Sequence, residues 1–97
     1  MSQILHITNI DPDFAPETHT LGATSAQSSA INTGSGLIRI AVKGTHAHIA
    51  FGSNPTADGE NFLINADTSE IFSFISGQKV AFIKTSGTGE INISALD

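Results

Sequence analysis

An all-β sandwich, or a jelly-roll-like barrel of about eight short strands, is the fold this sequence predicts. Apolar residues recur at every second position, the period of a half-buried strand. Clusters of Gly, Pro, Asn, Asp and Ser break that pattern at roughly eight- to twelve-residue intervals, the spacing of a sandwich or barrel. No window carries the i, i+3, i+4 spacing of an amphipathic helix.

The first strand is read at Gln3 to Ile10, which ends at Asp11-Pro12-Asp13, where proline cannot donate to a ladder and aspartate favours a turn. Phe14 to Pro16 follows as an extended arm or crossover loop, since the two nearby prolines hold the backbone open. Residues 1–17 are therefore set apart as an N-terminal strand and arm, and 18–97 as one sandwich domain. Thr18 to Thr33 is rich in Ser, Thr and Ala, and is read as two short strands broken near Thr24 and Ser25. After Gly34-Ser35-Gly36, Ile38, Ile40 and Val42 point to one face and Leu37, Arg39, Ala41 and Lys43 to the other. Lys43-Gly44-Thr45 is read as the turn of a hairpin into Ala47, Ile49 and Phe51. Ser53 to Glu60 contains every common turn former and is expected to be an exposed loop. Strands at 61–65, 70–75, 79–84 and 89–95 complete the series, with turns at Ala66 to Ser69, Ser76 to Gln78 and Ser86 to Gly89.

Three strands are apolar on both faces: Leu37 beside Ile38, Leu63 beside Ile64, and Ile71 and Ile75 beside Phe72 and Phe74. Such pairs predict that an outer face is covered by another chain, so a homo-oligomer, a trimer by preference, is expected.

Composition removes several function classes. The chain has 97 residues and no cysteine, which excludes disulfides, thiolate catalysis and Cys-based metal sites. A net charge of -5 with four isolated basic residues argues against nucleic-acid binding. The longest apolar run falls far short of the roughly 20 residues that cross a bilayer as a helix. The Met-Ser-Gln start has neither a charged nor an apolar signal region, so a chain made in the cytoplasm and not secreted is expected.

Candidate chemistry is sparse. His46 and His48 lie at alternate positions and could share a metal, but one chain supplies only these two. The glycine and glutamate that a cupin centre would place around such a pair are replaced by Ile40, Gly52 and Ser53. No metal or other cofactor is therefore expected. Ser35 and Ser86 sit among glycines without a helix to present them as nucleophiles, and no enzyme is expected. The Asp58-Gly59-Glu60-Asn61 segment lacks the register of a calcium loop.

From Leu37 onward a recognisable order emerges: Leu37-Ile38-Arg39-Ile40, then His48-Ile49-Ala50-Phe51-Gly52-Ser53-Asn54-Pro55-Thr56-Ala57, then Gly77-Gln78-Lys79-Val80-Ala81-Phe82-Ile83, then Gly89-Glu90-Ile91-Asn92-Ile93. This order resembles small virion-associated proteins of tailed bacteriophages. The resemblance implies a capsid decoration or cement protein that docks on the major capsid protein or another virion protein. On that reading Phe14, with Pro12 and Pro16, would lie on a neighbouring subunit. Asn54, Pro55, Thr56 and Asp58 would form a second contact. The alternative is a tail-fibre or spike module that offers Asn54, Thr56, Asp58 and Asn61 to a host receptor or glycan.

Overall fold

The computed structural model describes residues 14–32 and 35–96. The expected strand at Gln3 to Ile10 and Pro12 lie outside them. The described residues form eight strands: β1 Glu17–Thr20, β2 Ala26–Gln27, β3 Leu37–Lys43, β4 Ala47–Gly52, β5 Phe62–Ile64, β6 Thr68–Ser73, β7 Lys79–Lys84 and β8 Glu90–Leu96. They build two four-stranded antiparallel sheets, one in the order β1-β8-β3-β6 and the other β2-β7-β4-β5.

Alternation decides which side of each strand is buried. In β3, Ile38, Ile40 and Val42 are buried while Leu37, Arg39 and Lys43 are exposed. The register sets these three opposite Ala95, Ile93 and Ile91 of β8, which are buried as well. In the second sheet, Ala47 and Ile49 share the inner face with Ile64 and Phe82. Each of these larger side chains removed from water contributes about 1.5–3 kcal/mol, and together they are the core.

Pairing is nested: β4 with β5 innermost, then β3 with β6, β2 with β7, and β1 with β8 outermost. This nesting requires most connections to cross from one sheet to the other, and here the β3–β4 connection does. The hairpin expected between these strands is therefore absent, since β3 pairs with β6 and β8 while β4 pairs with β5 and β7.

Lys43-Gly44-Thr45-His46 is instead a corner, packed on the corner between β7 and β8. Gly44 has φ 92°, and a Cβ there would stand 2.6 Å from the carbonyl oxygen of Thr88. Glycine is needed for both the conformation and the space.

Several boundaries differ from expectation by a residue or two, and two of the differences have a clear physical cause. The turn before β6 is completed by Asp67, at φ 61°, so the strand runs over 68–73 rather than 70–75. Aspartate tolerates this left-handed conformation, and its Oδ1 accepts the Gly44 N–H at 3.1 Å. Phe14 is 8% exposed and belongs to the core cluster, so residues 14–17 are part of the sandwich rather than a free arm. The aromatic ring finds its apolar partners within its own chain.

Candidate docking surface

The loop after β4 is less open than its turn formers predict. It leaves β4 at Gly52 and reaches past β7 to the far edge of the sheet. There Gln27 Nε2 donates to Asn54 Oδ1 at 2.9 Å and to the Pro55 carbonyl at 2.7 Å. The Ala57 N–H donates to Ser25 Oγ at 2.8 Å. The loop then returns to β5, on the other side of β4, where His48 Nδ1 hydrogen-bonds the Asn61 carbonyl at 2.9 Å.

A segment tied at both edges must lie across the outer face between them. Ala50 and Ala81 point outward there, and Ala81 is fully buried. Their small side chains leave room for the loop. Pro55 and Ala57 are accordingly buried, which corrects the reading of Pro55 as a partner contact. Asn54, Thr56 and Asp58 remain exposed on a braced platform. Asp58 is held by local bonds: its N–H donates to Asn61 Oδ1 and its Oδ1 accepts the Glu60 N–H at 2.8 Å. Pro16 is exposed.

Each of the two histidines is engaged through its Nδ1. His46 Nδ1 accepts the Ala66 N–H at 2.8 Å, tying the β3–β4 corner to the β5–β6 corner. His48 uses its Nδ1 on Asn61. The first ring must carry its proton on Nε2 and the second on Nδ1. Among the described residues no three His, Asp or Glu side chains gather as a metal site.

The long sides of the sandwich, where the two sheets' edge strands meet, are closed by different chemistry. Between β1 and β2, Glu17 accepts hydrogen bonds from Ser29 Oγ and from His19 Nε2, the latter at 2.8 Å. The His19 ring lies 4.9 Å from that of Phe82. Burial disfavours the Glu17 charge, but the bonds from Ser29 and His19 outweigh it and hold the carboxyl below its ordinary value. The serine bonds to the glutamate, not to the histidine, so this is no nucleophile–base arrangement.

Between β5 and β6 the closure is aromatic. Phe72 packs edge to face against Phe51 and Phe62, each 5.5 Å away, and Phe51 meets Phe74 at 5.6 Å. The strands that carry this cluster also expose apolar side chains: Phe62 is 53% exposed, Leu63 43% on the outer face of one sheet and Ile71 59% on the outer face of the other. Leu37 and Ile75 are exposed too. Leu37, Leu63, Ile71 and Ile75 are the outward members of the two-faced strands, whereas Phe62 is an inner-face residue at the sheet edge, and the structure leaves all five exposed among the described residues. At the end where the corners cluster, a shallow groove of about 330 Å³ is lined by Thr20, Lys43, Gly44, Thr88, Gly89 and Glu90.

Comparison of the chain with protein-family models, with curated proteins and with solved structures returned no match.

Proposed function

We propose that this chain is a non-enzymatic structural subunit of a tailed-phage virion, a capsid decoration or cement protein that works by docking on the major capsid protein. The observation that carries the reading is the exposed apolar surface of Phe62, Leu63, Ile71 and Ile75. Large uncovered apolar side chains of this number, carried by the edge strands β5 and β6 and the residues that follow β6, support a protein-interaction role. Their burial against a partner would stabilise the complex at about 25 cal/mol per Å². The resemblance of the segment from Leu37 onward supplies the virion context. The hydroxyls nearest to catalytic use support a structural role, since Ser35 Oγ donates to the Leu96 carbonyl at 2.6 Å and Ser29 Oγ to Glu17.

Phage heads assembled without this chain should bind it on mixing and then release their DNA at a higher temperature than bare heads. Heads that neither sediment with the protein nor gain heat resistance would defeat the proposal. A second reading, a receptor- or glycan-binding fibre tip, draws on the exposed Asn54, Thr56 and Asp58 held on the braced loop. Adsorption of the purified protein to host cells, lost in Thr56→Ala, would favour it.

A further inference from the structure

We propose that two copies of this chain join edge to edge through β6, antiparallel about a two-fold axis that passes beside Ile71. The proposal deepens the docking reading by naming the surface through which copies meet. It is tested in the absence of any capsid, so either can fail alone.

Four edges are open among the described residues: β1, β2, β5 and β6. Of these β6 is the longest at six residues, against four, two and three. It carries no lysine, no proline and no bulge, and of the devices that protect an edge from pairing it has one, the charge of Glu70 on the inner side opposite Ile40.

Its backbone is aimed for the purpose. The Phe74 N–H donates to the Gly36 carbonyl, so at even-numbered positions the amide and carbonyl face β3. In an antiparallel ladder the direction alternates. Ser69, Ile71 and Ser73 therefore turn both groups to the open edge.

The register follows from symmetry and charge. Pairing must keep inner residues opposite inner ones, so the axis lies on a residue and not between two. An axis at Glu70 sets two carboxylates face to face, which is unfavourable. An axis at Ile71 pairs Ile71 with its own copy and Ser69 with Ser73. All three outward positions then exchange both backbone bonds, and Glu70 stands opposite Phe72. The result is one continuous eight-stranded sheet. The apolar Phe62 of each copy lies on the neighbouring edge strand, where it would be covered as the sandwiches meet. Such a contact builds dimers, so the three-copy assembly expected from the sequence would need a different surface.

The experiment is amide exchange by NMR on the full chain, together with sedimentation equilibrium. In the dimer, the Ser69, Ile71 and Ser73 amides should exchange at least about tenfold more slowly at high than at low protein concentration. Ile71→Lys, at a position 59% exposed, should sediment as a monomer and melt as the wild type does at concentrations low enough to dissociate it. Ile75→Lys, outside the strand, should remain dimeric. A wild-type chain that is monomeric at the highest soluble concentration overturns the proposal, as does a trimer, or a dimer that survives Ile71→Lys. Loss of the dimer on removal of residues 1–13, with Ile71→Lys still dimeric, would assign the contact to the N-terminal segment instead. If Ile71→Lys does not fold, the concentration dependence of the three amides decides alone.

Discussion

Glu17 shows how one side chain holds a closure together. Its carboxylate takes bonds from Ser29 and His19 and so pins the start of β1 to the chain beyond β2. Because the folded carboxyl ionises more readily than the unfolded one, its contribution is fully present above the ordinary carboxylate value. It fades as the pH falls through the folded-state value. Glu17→Gln should therefore melt below wild type at pH 7, and the gap should narrow as the pH approaches 3. The effect is modest, since the group keeps contact with water. The chain has no Trp or Tyr, so far-ultraviolet circular dichroism is the suitable probe. A gap that widens on acidification would contradict the assignment. The residue types were visible in the sequence, but the meeting of Glu17 with Ser29 was not, because it depends on which sheets β1 and β2 join.

At the scale of elements, the β4–β5 loop is a brace. Gln27 grips two of its residues from the opposite edge, and each such hydrogen bond contributes about 0.5–1.5 kcal/mol net. Gln27→Ala should lower stability by roughly 1–2 kcal/mol and expose residues 53–61 to proteases while the core stays folded. Limited proteolysis followed by mass spectrometry checks both parts. The strands themselves were legible because period-two alternation is a local signal: β3, β4 and β7 stand where that pattern placed them, while the two short strands expected in Thr18–Thr33, on either side of the break near Thr24, rested on the length of that segment, and the first begins one residue earlier, at Glu17. The loop's course was written more faintly. Outward alanines on neighbouring strands, Ala50 and Ala81, are the mark of something lying on top. The β3–β4 corner was not legible at all. Lys43-Gly44-Thr45 reads the same for a hairpin as for a crossing, and what decides between them is the Thr88–Gly89 backbone more than 40 residues away.

For the molecule as a whole, stability rests on contacts between distant parts of the chain. Ile93 is fully buried in β8, between β1 and β3. Ile93→Ala should cost about 2–5 kcal/mol, a large part of the roughly 5–15 kcal/mol that holds a domain of this size. Urea titration followed by circular dichroism measures it. An unchanged midpoint would mean that the β1-β8-β3 side contributes little to the cooperative core. The apolar surface, by contrast, was read in advance from the two-faced strands. The uncovered Leu37, Leu63, Ile71 and Ile75 are the residues that alternation left over.

The nesting of strand pairs also has a consequence for how such a domain can be joined to others. Glu17 lies beside Ile93, so the described chain begins and ends on adjacent strands of one sheet. Neighbouring antiparallel residues are only about 4.5–5.5 Å apart. A short linker can therefore close the sandwich of β1 to β8 into a ring, and new ends can be opened at the exposed Ser86–Gly87 corner. By the same geometry the whole sandwich can be carried as an insert in a surface loop of another protein, entering and leaving through one narrow neck.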